Sequence, residues 1–335
     1  MILIIFISII VIFGILFILF KKYSKQYWFN VARKMGEKEF YNGESFRNGA
    51  IIEADINKLN VNEIVDLYKN YIPSFTIDES KIRNFFSIME KPALVYKREE
   101  KLVGAVFNSI NRVFYNNNVF FVNFVDCSVV EKSMRKKNVF EGIMNEVSVY
   151  TNKNQAKLLF FKIDLKPVPS FPDYNFISTY YIGKKVNMGK INSGVKVENI
   201  DEKFYVSICS FLKKKCKIYP VLDKNSSFGK ILINNGERIT FIVGDKVIFN
   251  LRYNSKDYLE IMYVLCLEEN DELVRDGIRY INNELNFKNL LIDSIGYNKR
   301  VIEIMGDYFN KHHITYHYML GVKDKIREEE MYYYF

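Results

Sequence analysis

The first twenty residues, 1–20, contain no charged side chain, and only Ser8 and Gly14 interrupt the apolar run. As a helix rising about 1.5 Å per residue, such a run reaches across the ~30 Å hydrocarbon core of a bilayer. The pattern therefore predicts a transmembrane helix over 1–20. Lys21, Lys22 and Lys25 follow at once. A cleaved leader would place its positive charge before a shorter apolar stretch, whereas cations beyond the end of a span hold that end on the cytoplasmic side. A retained single-pass anchor with its body facing the cytoplasm is expected. Residues 21–49 mix basic and aromatic side chains around the only tryptophan, Trp28. They read as a juxtamembrane linker, lying against headgroups or simply solvated.

The body begins with a short strand at 51–52. Apolar residues at Ile64, Val65, Leu67 and Tyr68 have helical spacing and predict a helix over 61–71, with a second short one over 80–89. Apolar runs predict strands at 93–97, 102–110 and 119–129, and a dense one at 158–163. Between them, Val139, Ile143, Met144, Val147 and Tyr150 predict a helix over 134–150. After 182–194 the order restarts: a strand at 195–197, a helix over 202–214 and strands at 238–243, 246–252 and 259–266. A helix over 272–285, a strand at 290–295, a helix over 301–309 and a strand at 314–322 complete the chain. The second series repeats the first as elements, though not visibly as residues, and a duplicated α/β (α+β) domain explains it most economically. The expected division is 1–20, 21–49, 50–190 and 191–335.

Length and composition agree with this and add little chemistry. The chain has 335 residues, 49% of them hydrophobic, enough for one large core or two ordinary ones. A net charge of +9 suits nucleic acid, an anionic membrane or a phosphate-bearing cofactor equally. Cys127, Cys209, Cys216 and Cys266 lack C-x-x-C spacing and sit in apolar runs, so neither a zinc site nor a disulfide framework is indicated and a reducing compartment fits. His312, His313 and His317 have no further ligand at metal-binding spacing and read as a surface turn plus one strand residue. No Walker loop, dinucleotide fingerprint, Ser-His-Asp arrangement or zinc-finger spacing occurs, and neither a metal nor a nucleic-acid partner is expected.

Chemistry concentrates in 122–147, VNFVDCSVVEKSMRKKNVFEGIMNEV. A long strand ends near Val130, the cluster Arg135, Lys136 and Lys137 follows, and a helix opens. Cationic side chains and unpaired helix N–H groups thus converge where a phosphate would bind. The second feature is the end of the chain, Met331-Tyr332-Tyr333-Tyr334-Phe335 after the charged run Glu328-Glu329-Glu330. That is an apolar finish, suited either to burial or to a sticky frayed end.

On these residues the body resembles the eukaryotic-type N-myristoyltransferases. Their segment I-N-F-L-C-V-H-K-K-L-R-S-K-R aligns without a gap on 125–138, VDCSVVEKSMRKKN, keeping Val130, Lys132, Arg135 and Lys137. The family's L-P-K-P-V is matched by Leu165-Lys166-Pro167-Val168, and its closing aromatic strand, polar loop and apolar tail by 314–335. The resemblance implies two tandem GNAT-like (acyl-CoA N-acyltransferase) halves, the first holding myristoyl-CoA and the second the N-terminal glycine of a peptide or protein. It implies that Arg135, Lys136, Lys137 and the backbone at Asn138 and Val139 bind the coenzyme's phosphates. It also implies that the backbone N–H groups of Cys127 and Ser128 form an oxyanion hole, and that the Phe335 carboxylate is the base for the acceptor amine. The sequence departs from the family where Val139-Phe140 replaces Ala-Pro, where Leu158 and Phe161 replace a tyrosine and a glycine, and where Asp126 replaces asparagine beside the oxyanion site. A catalytically inactive membrane protein keeping the tandem fold as a binding or structural component is the alternative expectation. A conventional acetyltransferase fits less well, because 135–140 lacks the glycines of its phosphate loop.

Overall fold

In a computed structural model of the chain, the described residues are 51–53, 60–71, 78–89, 91–98, 101–135, 137, 139–164, 176–200, 202–221, 229, 238–322, 326–327 and 330–332. The expected anchor and linker, 1–49, lie outside them. Among the described residues no helix is long and apolar enough to cross a membrane.

The first half of the chain contributes β1 (Ile51–Glu53), α1 (Val61–Tyr71), α2 (Glu79–Ile88), β2 (Lys91–Arg98), β3 (Leu102–Tyr115), β4 (Asn118–Val130), α3 (Val139–Lys153), β5 (Leu158–Asp164) and β6 (Phe176–Lys184). The second contributes β7 (Val197–Asn199), α4 (Glu202–Lys215), β8 (Ile218–Pro220), β9 (Arg238–Val243), β10 (Val247–Tyr253) and β11 (Tyr258–Cys266). It continues with α5 (Asp271–Glu284), β12 (Asn289–Asp293), α6 (Asn298–Met305) and β13 (Asn310–Leu320).

The thirteen strands among the described residues join one sheet in the order β1-β2-β3-β4-β5-β13-β6-β12-β11-β10-β9-β7, with β8 added to β3. Two matching series run inward from its edges. In each, antiparallel strands lead to one parallel pair, β4 with β5 and β11 with β12. The last strands are exchanged: β13 docks on β5, β6 docks on β12, and the two pair with each other at the centre. A residue-poor repeat thus becomes a visible one, because strand pairing follows backbone geometry while side chains are free to diverge.

Alternation along each strand sends successive side chains to opposite faces. On one face, Val103, Val106, Val125, Leu159 and Phe161 pack under Val139, Ile143 and Val147 of α3. On the same layer of the second series, Phe249, Leu251, Ile261 and Leu290 pack under Val274, Ile278 and Ile281 of α5 and Val301 of α6. The other face carries α1 over Ala105 and Phe107, and α4 over Ile248 and Met262. Gly277 allows α5 its approach: a methyl there would lie 2.1 Å from the ring of Phe249, which is wholly buried. Gly277→Ala is expected to lose about 1–3 kcal/mol by overpacking, only partly offset by the ~1 kcal/mol helix preference for alanine. A melting temperature lower by roughly 2–8 °C checks this.

Sequence patterning missed β6 and β8 and ended β3 five residues early. The helix expected over 134–150 starts only at Val139; before it stands a single 3-10 turn, Lys132–Met134, and Arg135 is extended at φ −64°, ψ 146°. Side-chain bonds hold that turn, as described next. His312 and His313 belong to β13 and not to a surface turn, and His317 is fully buried in the same strand.

Candidate functional site

The outer edge of the β4–β5 pair carries an irregularity. Ala105 pairs with Val129 and Phe107 with Asp126, so the single residue Val106 opposes both Cys127 and Ser128. This is a β-bulge, which bends its strand and re-aims backbone groups. At the same level β4 leaves β5: their parallel pairing covers Val122–Val125 against Leu158–Phe161 and ends there, while β5 continues to Asp164 along β13. The amides of Cys127 and Ser128 therefore sit in the mouth of a V between two central strands.

The basic turn follows the V directly. Glu131 is 7% exposed, receives hydrogen bonds from Lys101 Nζ at 2.9 Å and Ser133 Oγ at 2.8 Å, and is held by them below the usual carboxylate range. Its backbone N–H donates to Val103 O at 2.9 Å. Arg135 Nε donates to Val130 O at 3.1 Å, tying the guanidinium to the strand end. Lys132, Arg135 and Lys137 are exposed, while Val139 is buried and starts α3 against the core. Lys136 and Asn138 lie outside the described residues. A helix N-terminus ringed by exposed cations at the mouth of a V suits a phosphate-bearing ligand.

The second series has the same geometry with the opposite equipment. Pairing of β11 with β12 ends at Ile261 and Ile292, and Met262 is the extra residue of a bulge between Leu251↔Ile261 and Asn250↔Tyr263. Here the gap is filled from within: buried Asn298 accepts from Val264 N–H at 2.9 Å and donates to Met262 O at 3.1 Å. The following turn, 267–272, reads Leu-Glu-Glu-Asn-Asp-Glu, and Asn270 caps α5 by accepting from Leu273 N–H at 3.1 Å. Carboxylates and an internal cap leave nothing for an anion.

The described residues of the closing segment, 326–327 and 330–332, lie on the face of the sheet opposite α3. Met331 bridges Ile218 in parallel, Tyr332 N–H donates to Ile218 O at 2.8 Å, and Ile326, Met331 and Tyr332 are all buried. The Tyr332 ring lies 4.3 Å from that of Tyr263. Glu330 anchors this segment: the Arg327 backbone N–H and guanidinium and Lys217 Nζ all reach its carboxylate and hold it at about 2. Phe335 itself lies outside the described residues.

On the same face the splayed strands present charge. Phe124 and Phe160 contact there, rings 5.4 Å apart, whereas Val125 and Phe161 turn to the α3 side. The next residues on the tail side are Asp126 and Lys162. Lys162 Nζ donates to Tyr180 Oη at 2.9 Å, and Tyr180 donates to Glu260 Oε1 at 2.9 Å. The other oxygen of Glu260 accepts from Arg252 and from Asn254, each at 2.8 Å. Burial pushes Glu260 up, yet Arg252 and Lys162 outweigh it and hold the acid at about 2. Arg252 in turn binds its proton more tightly than usual, against burial, through Glu260 and then Asp126. Nothing in the sequence reading singled out Lys162, Arg252 or Glu260. The available signal was a charged residue set among apolar ones in each of LLFFKID, VIFNLRY and YLEIMYVLC.

Other residues considered in the sequence take structural places. Phe161 stacks on Tyr318 at 4.8 Å on the α3 side, and Leu158 packs in the cluster that also holds Met331. His317 Nε2 meets Ser178 Oγ at 2.7 Å and Asp293 Oδ2 at 3.7 Å. Both approach the same nitrogen, so this is not a relay from acid through imidazole to nucleophile. Among the described residues no group of side chains could hold a metal ion. Cys209, Cys216 and Cys266 are free thiols, and burial pushes Cys216 up to about 12. The side chain of Cys127 is outside the description.

No family model matches this sequence, and no curated protein does. Solved structures do. An N-myristoyltransferase from Saccharomyces cerevisiae with bound myristoyl-CoA superposes with a TM-score of 0.63 at 10% identity, over 84% of this chain and 80% of that one. A second, with myristoyl-CoA and inhibitors, gives 0.63 at 9% over 84% and 82%. A GCN5-related N-acetyltransferase from Kribbella flavida gives 0.50 at 9% over 81% and 70%. The chain therefore has the mixed α/β fold of the N-myristoyltransferases and GCN5-related acyltransferases.

Proposed function

We propose that the chain is an acyl-CoA-dependent N-acyltransferase that moves a long acyl chain, myristoyl by preference, to the N-terminal glycine of a protein. The observation that carries this reading is the asymmetry of two equivalent crevices. One is followed by the exposed cations Lys132, Arg135 and Lys137; the other is bridged by Asn298 and followed by carboxylates. In this reading residues 50–190 hold the acyl-CoA and 191–335 the acceptor. Arg135, Lys136 and Lys137 take the phosphates with the backbone at Asn138 and Val139. The amides of Cys127 and Ser128 stabilise the oxyanion as the amine nitrogen forms its bond to the thioester carbon. The Phe335 carboxylate takes the ammonium proton beforehand. The carbon–sulfur bond then breaks, and the thiolate takes up the second proton shed by the new amide. A membrane anchor at 1–20 would hold the body at the cytoplasmic surface, where acyl donors and lipidated products partition.

Calorimetric titration of the purified full-length chain with myristoyl-CoA and with acetyl-CoA tests the reading. Tight binding of myristoyl-CoA is expected, weakened roughly 100-fold or more by Arg135→Glu with Lys137→Glu, since two charge-assisted contacts are lost. Binding of neither ligand, or binding indifferent to the charge reversal, overturns it.

A further inference from the structure

The interface beneath α3 is not apolar throughout. At helical spacing, Met144, Val147, Ser148 and Thr151 form the stripe that α3 turns toward the sheet, and all four are buried. Facing the stripe are Asn108 of β3 and Asn123 of β4, both 0% exposed. Asn108 stands between Val106 and Ile110 on its strand, Asn123 between Phe121 and Val125, and these neighbours pack under α3. Because Asn108 pairs with Val125 and Ile110 with Asn123, the two asparagines are diagonal neighbours on that face. Their Cα atoms are then about 7–8 Å apart. They divide two apolar clusters, one under Ile143 and Val147, the other around Ala93, Ile110 and Tyr150.

Each amide nitrogen has a partner in the protein: Asn108 Nδ2 donates to Ala93 O at 3.2 Å, and Asn123 Nδ2 donates to Thr151 Oγ1 at 2.7 Å. Those partners force the orientation of both amides. Ala93 O can only accept, and Thr151 gives its hydroxyl hydrogen to Val147 O at 2.6 Å, so an amide oxygen fits neither place. Both Oδ1 atoms are left buried with no donor from the protein. Ser148 does not serve them, since its hydroxyl donates to Met144 O at 3.0 Å. Two orphaned acceptors at full burial cost stability unless a donor meets them. The layer consists of amides and hydroxyls alone, and a cation buried without a counter-charge is strongly disfavoured. A neutral molecule with two hydrogens to give satisfies both oxygens. We infer that α3 and the β3–β4 pair enclose a binding site for one water molecule, which donates to Asn108 Oδ1 and Asn123 Oδ1 and joins the two strands under the helix. Two acceptors bridged in this way lie roughly 5 Å apart, a separation the diagonal placement allows. The site does not depend on the acyl-transfer reading, and it gives a ligand to polar residues that interrupt an otherwise apolar interface.

Magnetic relaxation dispersion of water deuterons, recorded on the purified full-length chain, counts the water molecules held inside for longer than the protein tumbles. The wild type is expected to hold one more than Asn108→Leu with Asn123→Leu, whose side chains are close to the amides in shape and offer no acceptor. Circular dichroism checks that the double variant keeps the helix and strand content of the wild type. An equal count in the two proteins overturns the inference. A second measurement needs no variant. In the wild type, magnetisation is expected to pass from water to the side-chain amide protons of Asn108 and Asn123 at the rate of a directly bound, long-lived molecule. Absence of that transfer at both asparagines overturns the inference, including where the double variant does not fold.

Discussion

Glu260→Ala is expected to cost about 3–5 kcal/mol of folding stability, because it leaves the Arg252 guanidinium in the interior without its counter-charge. Glu260 is 4% exposed and Arg252 19%, so water cannot replace the lost partner, and Tyr180 and Asn254 lose an acceptor as well. Chemical denaturation of the wild type and variant measures the difference. Replacing both partners together, Arg252→Met with Glu260→Leu, should recover most of the loss, since an apolar pair needs no compensation. The pH dependence carries a definite sign. The folded Glu260 titrates at about 2, below its unfolded value of about 4.3. Its contribution is complete above the unfolded value and is lost as pH falls towards 2, so the gap between wild type and Glu260→Ala should narrow over that window. A gap independent of pH would remove the ion pair as its cause.

The second large effect concerns the tail. Appending one or two residues after Phe335 is expected to reduce acyl transfer by at least about 100-fold, the lower end of what a positioned base contributes, while leaving acyl-CoA binding unchanged. The expectation draws on the anchoring of 326–332: Glu330 clamped by Arg327 and Lys217, Met331 paired with Ile218, and Tyr332 buried against Tyr263. Phe335 is three positions after Tyr332, a reach of about 10 Å at most for an extended chain. Turnover unaffected by the extension would take the base role from Phe335 and shift attention to the other carboxylates of the tail face, Asp126 first.

How far each part was legible follows from where its determinants lie. Helices such as α1 and α5 were readable because their apolar residues recur with the helical period, and Val139, Ile143 and Val147 do so in α3 as well. The start of α3 was not, because an Arg135 bond to the Val130 carbonyl and Glu131 bonds to Lys101 and Ser133 win over helical propensity across 131–135. Strand β6 escaped notice although its apolar and polar residues mix as they would in a half-exposed strand. Its partners, β12 and β13, come more than a hundred residues later.

Periodicity by itself determined the kinds and order of most elements and the basic turn between strand and helix. The amino acids that set those features are neighbours in sequence, and local spacing suffices to read them. Only the tertiary structure decided that the last strands are exchanged, and that bulges open both central V-shaped gaps. It alone showed that Asn298 closes one gap, and that Asp126, Lys162, Tyr180, Glu260 and Arg252 gather on one face. Each of these depends on strand register between distant segments, and register is fixed by the packing of whole faces, a quantity that no window of the sequence contains.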